Sequence, residues 1–287
     1  MRIGIAGIGG RMGQAVAAAI AADPTLTLAG GIGRSGTDQP VAPAIPADPT
    51  RPHADGLGRS GGAGQGRLAD IAALAAVSDV VIDVTHASAI PPHAAALAAA
   101  GVPWVLGTTG ADAAARAAIH QAARSIAVLE AANFSIGLNL LLALAERLGA
   151  ALPAADYDAE ILEMHHAAKR DAPSGTALAL GQAVARGRGG ALDGTARYTR
   201  HGQVGPRPKG EIGFAALRGG GVVGDHSVIF TSGAEQITLA HRALSRAVFA
   251  EGALRAAQWL VGRPPGHYSM RHLLAGTDPL PREQPRA

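Results

Sequence analysis

The 287-residue chain contains no cysteine, and that absence removes several chemistries at once. There is no disulfide framework, no thiolate metal site and no thiol nucleophile. Aldehyde dehydrogenation through a covalent thiohemiacetal is therefore excluded. Aromatic residues make up only 3%, so the cores have to be built from Ala, Leu, Val and Ile. No apolar run reaches the roughly 18 residues that a spanning helix requires. The first residues enter a strand directly, without the charged and apolar regions of a secretion signal. A cytoplasmic protein with no membrane partner is expected. Lysine is nearly missing as well: of 25 basic residues, only Lys169 and Lys209 are lysines. The formal net charge is +3, and the basic residues stand singly, with no patch interleaved with aromatics. No nucleic-acid partner is expected.

What is present is a globular composition, 48% hydrophobic and 16% charged, long enough for one large domain or two ordinary ones. Arg2–Ala6 is a short apolar strand running into Gly7-Ile8-Gly9-Gly10-Arg11-Met12-Gly13, and the Ala-rich run from Gln14 to Ala22 is helical. Strand, glycine turn and helix together form a phosphate-binding turn, because glycines let backbone N–H groups approach a pyrophosphate at a helix start. The spacing is G-x-x-G-x-x-G rather than G-x-G-x-x-G, and a tight βα turn without a ligand has the same residues. The second strand, Thr25–Ile32, ends in Gly33-Arg34-Ser35. A carboxylate there would take the ribose 2′-OH of NAD; Arg34 instead suits the 2′-phosphate of NADP. NADPH is therefore the expected cofactor, with NADH possible.

Beyond a Gly- and Pro-rich loop over Gly36–Gly66, strands and helices alternate: helix Leu68–Val77, strand Val80–Val84, helix Pro91–Ala100, strand Pro103–Leu106, helix Ala111–Ala123 and strand Ile126–Leu129. That order predicts an α/β fold with a Rossmann-like, doubly wound parallel sheet. Ligands of such sheets sit beyond the carboxyl ends of the strands. Gly7–Met12, Thr85, Gly107-Thr108-Thr109 and Ala131-Ala132-Asn133-Phe134 should converge on one cofactor. The helix Ile136–Ala151 carries the chain into a second, α+β domain. Its strands are expected at Tyr157–Met164, Ala196–Arg200, Gly210–Leu217, Val228–Ser232 and Gln236–Ala240, in a mixed or antiparallel sheet used for oligomerisation. A last helix, Arg246–Val261, is expected to return to the first domain, and Asp278–Ala287 is a Pro-rich tail. The expected division is a dinucleotide-binding domain over 1–132 and 245–287, and a substrate-binding and oligomerisation domain over 133–244.

Glu163–Thr176 reads E-M-H-H-A-A-K-R-D-A-P-S-G-T. It packs two imidazoles, an ammonium and carboxylates between a strand and a helix that Ser174 is placed to cap. The free N–H groups of such a helix start suit a carboxylate or phosphate, and His166 and Lys169 stand beside it. A small polyanionic substrate is the natural guest. A histidine is suited to proton transfer near neutrality, and an amine, unlike a guanidinium, can give up a proton. Metal binding is the competing chemistry, with Glu160, Glu163, His165, His166 and Asp171 as candidate ligands. Adjacent residues of a strand face opposite ways and no H-x3-H pattern completes a set, so no metal is expected.

These residues resemble the dihydrodipicolinate reductase (4-hydroxy-tetrahydrodipicolinate reductase) family almost end to end. The resemblance rests on Gly7–Gly13 as G-I-G-G-R-M-G, Gly107–Gly110 as G-T-T-G, Ala131–Gly137 as A-A-N-F-S-I-G and Glu163–Ala177. Gly224–His226 and Ser245-Arg246 also match. It implies a two-domain homotetramer of diaminopimelate and lysine biosynthesis that reduces a cyclic, doubly carboxylated imine with NAD(P)H to tetrahydrodipicolinate. Carried over residue by residue, it implies His165 and Lys169 as the catalytic acid pair. His166, Lys169, Gly175 and Thr176 would hold the substrate carboxylates. The nucleotide would lie on Gly7, Ile8, Gly9, Gly10, Arg11, Met12, Gly107, Thr108, Thr109, Ala131, Ala132, Asn133 and Phe134. Many relatives carry an acid just before the position of Arg34, where this chain has Gly33. On the residues alone, a non-catalytic NADPH- or dicarboxylate-binding relative and a dehydrogenase of another small dicarboxylate remain the rival readings.

Overall fold

The computed structural model describes residues 1–33 and 68–275, so Arg34, the 36–66 segment and the 278–287 tail lie outside the described residues. The chain divides into two compact units, one of Met1–Phe134 with the segment from Phe249 onward, the other of Ser135–Val248.

The first unit is a parallel sheet. Its strands are β1 (Arg2–Ala6), β2 (Thr27–Ile32), β3 (Val80–Asp83), β4 (Trp104–Leu106), β5 (Ala127–Glu130) and, far along the chain, β11 (Gly266–Tyr268), in the order β11-β5-β4-β3-β1-β2. Parallel strands covered on both faces read as unbroken apolar runs; Val80, Val81 and Ile82 are fully buried. The covering helices are α1 (Arg11–Ala22), α2 (Ile71–Val77), α3 (Ile90–Ala100), α4 (Ala113–Ala122) and most of α7 (Ala247–Leu260), followed by α8 (Met270–Leu274). Asp70 and Asp112 start α2 and α4 by accepting the N–H groups of Ala73 and Ala115. Neither β11 nor α8 stands out in the sequence, because three-residue edge pairing has no pattern of its own. The other elements fall within a few residues of the expected ranges.

The second unit is a mixed five-stranded sheet covered on one face. The strands are β6 (Asp158–His165), β7 (Ala196–Arg197), β8 (Ile212–Arg218), β9 (Gly224–Thr231) and β10 (Gln236–Ala243), in the order β10-β9-β6-β8-β7. β6 is parallel to β8 and antiparallel to β9. On the covered face lie α5 (Ile136–Ala151), capped by Ser135, and α6 (Gly175–Gly187), capped by Ser174. The two helices approach closely: a Cβ on Gly149 would stand 2.6 Å from the Val184 carbonyl oxygen, and one on Gly187 only 2.1 Å from that of Glu146. Small residues do here what aromatics do elsewhere. The core is Leu, Ile, Val and Ala with Phe214 and Phe230, and β7 is shorter than the expected Ala196–Arg200.

Candidate active site

Strand periodicity decides which side chains of β6 meet. Residues two apart share a face, so Ala159, Ile161, Glu163 and His165 all point toward the helices. The first two enter the core. The last two continue the same face past the point where α6 begins, and there the core turns polar. Register brings in the rest: His226 of β9 lies opposite Glu163, and Arg218 of β8 lies opposite His165.

Glu163 is 1% exposed and has four donors around it. His165 Nδ1 stands 2.5 Å from Oε2. Arg218 forks onto both oxygens, Nη1 to Oε2 at 2.9 Å and Nη2 to Oε1 at 2.8 Å. The backbone N–H of Ser174 donates to Oε1 at 3.1 Å. Burial alone would raise this carboxyl, but the Arg218 fork, His165 and the Ser174 N–H outweigh it and hold it below its ordinary value. Ser174 has a second task, since its Oγ accepts the Ala177 N–H and lies 3.2 Å from His226 Nε2. The His226 ring is edge-on to His165, with centroids 5.0 Å apart. Burial and the neighbouring His165 push the His226 imidazole down to about 4, so it is neutral at physiological pH.

Of the sequence-predicted residues, His165 is thus the buried end of a strand, while His166 is half-buried just beyond it. The Lys169 ammonium is held by Asp171, 2.9 Å from each carboxylate oxygen. That pairing, with smaller help from Arg218, keeps the Asp171 carboxyl low, against a burial effect in the other direction. Gly175 is exposed, and a Cβ placed on it would meet nothing within 4 Å. The first turn of α6 therefore opens onto free space. Arg218 and His226 join the site through strand register, which residue order does not display.

In the first unit the predicted nucleotide loops all lie at the carboxyl ends of β1, β3, β4 and β5. Gly7, at φ +90, sits where a Cβ would be 2.7 Å from the Val84 carbonyl oxygen. The N–H groups of Gly7 and Ile8 are given to the Ile32 carbonyl, at 2.8 and 3.1 Å, so they shape the turn rather than face a ligand. Gly9, Gly10 and Arg11 are exposed. No side chain caps α1 and no acid stands in its first turn, which fits an anion such as a pyrophosphate. Thr108 is buried, and its hydroxyl donates to Asp83 at 3.3 Å; Thr109 is exposed. A Cβ on Gly107 would lie 2.5 Å from the Phe134 ring, and Phe134 is held from behind by Gly252 of α7. Ala131 and Ala132 line a recess of about 350 Å³ with Glu130, His267, Tyr268 and His272. Among the described residues, no three His, Asp or Glu side chains are grouped to hold a metal ion, and no helix is long and apolar enough to cross a membrane.

Both halves of the chain match family models: residues 1–134 match dihydrodipicolinate reductase, N-terminus, and residues 137–274 match dihydrodipicolinate reductase, C-terminus. The chain is 56% identical over 274 residues to a 4-hydroxy-tetrahydrodipicolinate reductase of Acidiphilium cryptum, covering 96% of this chain and 97% of the relative. It is 52% identical to one of Gluconobacter oxydans, covering 95% and 96%. A solved dipicolinate-bound dihydrodipicolinate reductase from Paenisporosarcina sp. TG-14 shares the fold, with a TM-score of 0.71 at 23% identity, covering 94% of this chain and 97% of that one.

Proposed function

This chain belongs to the dihydrodipicolinate reductase family, and on that premise we propose that it reduces 4-hydroxy-tetrahydrodipicolinate, through its dehydrated cyclic imine, to tetrahydrodipicolinate with NAD(P)H. The reaction belongs to diaminopimelate and lysine biosynthesis. The observation that carries the reading is the polar end of β6: a single buried carboxylate, Glu163, holds both the imidazole of His165 and the start of α6.

The nicotinamide supplies two electrons as hydride. Hydride addition to a conjugated imine leaves enamine or carbanion character that has to be protonated, and His165 supplies that proton. Lys169 exchanges Asp171 for a substrate carboxylate and offers positive charge as negative charge develops. His166 and the N–H groups of Gly175 and Thr176 grip the carboxylates, for which the open first turn of α6 is suited. The first unit is the dinucleotide-binding domain and the second the substrate domain. The nucleotide phosphates lie on the uncapped start of α1, with Gly107–Thr109 and Ala131–Phe134 completing the cofactor surface. Arg34 favours NADPH over NADH.

The enzyme acts in the cytoplasm as a homotetramer. The outer face of the second sheet supports assembly: Leu162 and Leu217 are 36% and 49% exposed there, beside Met164, the register partner of Leu217.

The decisive assay follows NADPH oxidation with and without the enzyme that condenses pyruvate with aspartate semialdehyde. Oxidation only in the coupled reaction supports the proposal. Tight binding without turnover means a sensor, and turnover of another dicarboxylate means a different dehydrogenase. An Arg34→Ala variant with an unchanged NADPH to NADH ratio of KM removes the cofactor preference.

A further inference from the structure

We propose that Glu163 is the positioning residue of this site: it keeps a hydrogen on His165 Nδ1 throughout, so that Nε2 takes up a proton from solvent, delivers it to the substrate from the doubly protonated ring and is left bare, and it locks that ring to the start of α6. Arg218 is the clamp that holds the carboxylate in place. The inference rests on the function proposed above and adds to it the residue on which the two halves of the site depend.

The geometry argues for a tautomer lock rather than a plain buried ion pair. An ionised carboxylate is acceptor-only, so at 2.5 Å from Oε2 the Nδ1 of His165 has to carry hydrogen. The other ring nitrogen, Nε2, faces Gly224, where a Cβ would come within 3.1 Å of it; a side chain at 224 would crowd the atom that has to meet substrate. The same carboxylate takes the Ser174 N–H through Oε1, so the ring of His165 and the first turn of α6 share one anchor. Arg218 is fixed in turn, because its Nη2 also donates to the Asp171 carbonyl at 2.7 Å and its Nη1 to the Leu217 carbonyl at 2.6 Å.

The groups that face His165 and Glu163 are Arg218 from β8, His226 from β9 and the Ser174 N–H from α6. Lys169 and Asp171 follow in the connecting loop. Glu163 thus stands opposite donors on every side. Glu163→Gln conflicts with that arrangement in a defined way. An amide nitrogen at the Oε1 position would face two donors, Arg218 Nη2 and the Ser174 N–H. At the Oε2 position it faces one, Arg218 Nη1, together with the ring. The second placement wins, and the ring nitrogen opposite it must become an acceptor. His165 then flips to the Nε2–H tautomer in its neutral form.

The test uses the full-length protein with 15N-labelled histidine and reads the two ring nitrogens of His165 by long-range 1H–15N correlation. Neutral His165 should carry its proton on Nδ1 in the wild type and on Nε2 in Glu163→Gln. In steady-state assays of the coupled reaction, Glu163→Gln should lower kcat by at least about tenfold, toward the ~10⁴-fold that a wrong tautomer costs a catalytic histidine. KM for NADPH should move by less than about threefold, and the pH profile of kcat should change shape. A structural role alone would lower stability and leave tautomer and profile as they are. A wild-type ring protonated on Nε2 overturns the proposal, and so does a folded Glu163→Gln protein with wild-type tautomer or wild-type kcat. If Glu163→Gln does not fold, the wild-type spectrum and the shorter Glu163→Asp, which keeps the charge but withdraws it from Nδ1, decide the matter. A wild type without turnover would refute the proposed reaction, while the tautomer measurement still decides the lock.

Discussion

Acid should loosen the second unit through His226 before it touches any carboxylate. The ring is 5% exposed, and burial with the adjacent His165 lowers it from an ordinary 6.5 to about 4. The unfolded chain therefore binds a proton in a range where the folded chain does not, and stability rises with pH across that range. The contribution is complete above about pH 6.5 and is lost as pH falls toward 4. A separation of roughly 2.5 units at 1.36 kcal/mol each amounts to about 3 kcal/mol, of which about 2 is gone by pH 5. Glu163 and Asp171 are held low instead, so their protonation destabilises only below the ordinary carboxylate range. His241, lowered chiefly by burial, adds in the same direction as His226, which is why a variant comparison is needed. His226→Gln keeps a hydrogen-bonding group for Ser174 Oγ and cannot titrate. Urea unfolding of both proteins at pH 7.5 and 5.0 should show the wild type losing about 2 kcal/mol more than the variant. Hydrogen exchange of the 158–165 and 224–231 segments should localise the loss to β6 and β9. An equal pH slope in the two proteins, or a His226 that titrates above pH 6 by NMR, would refute the burial argument.

Gly175→Ala should leave thermal stability unchanged or slightly higher, because its Cβ meets nothing within 4 Å, and alanine is the better helix former by up to about 1 kcal/mol; raised substrate KM would then report a bound carboxylate at the helix start, and unchanged KM would remove it from there. Gly13→Ala should do the opposite in the first unit, since its Cβ would fall 2.2 Å from the Gly7 carbonyl oxygen; a cost of about 1–3 kcal/mol with weakened NADPH binding by calorimetry is expected. Asp83→Ala would strand His93 Nδ1 (2.7 Å), the Thr85 N–H (3.1 Å) and hydroxyl (2.6 Å) and the Thr108 hydroxyl; at ~1 kcal/mol for each of the four unmatched groups the loss is about 4 kcal/mol in denaturant melts. Leu217→Arg should shift the light-scattering mass toward a smaller oligomer with the fold intact by circular dichroism.

The first unit was the more legible half. Its strands are continuous apolar runs separated by helices, so local signals and tertiary outcome agree; α2 and α4 begin two or three residues later than expected, where Asp70 and Asp112 cap them. The glycine turn was legible as a turn, but the sequence did not reveal that Gly7 and Ile8 give their N–H groups to Ile32. β11 joins the sheet beside β5, more than 130 residues along the chain, and nothing local announces such a pairing. In the second unit β9 begins at Gly224 rather than Val228. Asp225, Ser227 and Ile229 face outward there while His226 and Val228 face in, and a buried histidine breaks the apolar alternation that would have marked the strand.

The candidate site shows why motif residues and their supports differ in legibility. E-x-H on a strand puts both side chains on one face at a separation of two residues, so the contact between Glu163 and His165 is written in the sequence once β6 is accepted as a strand. On the residues alone Glu163 stands among the candidate metal ligands, because residue order does not distinguish a carboxylate that orients a ring from one that binds an ion. Arg218 is another matter. It reaches Glu163 because β8 runs parallel to β6 in a register that sets Ala216 opposite Glu163 and Arg218 opposite His165. A slip of one residue would turn Arg218 to the outer face. The register is held by Ile212 and Phe214, which pack with Ile161 and Val228 in the core, so apolar packing at one end of the sheet aims a guanidinium at the other. Core substitutions such as Phe214→Ala should therefore lower kcat as well as stability, with the kcat loss tracking any loosening of the Arg218–Glu163 pair. If Phe214→Ala costs several kcal/mol, as large-to-small core changes do at ~3–5 kcal/mol, yet leaves kcat and the His165 tautomer as in the wild type, then the register does not depend on that packing and the connection between core and site fails.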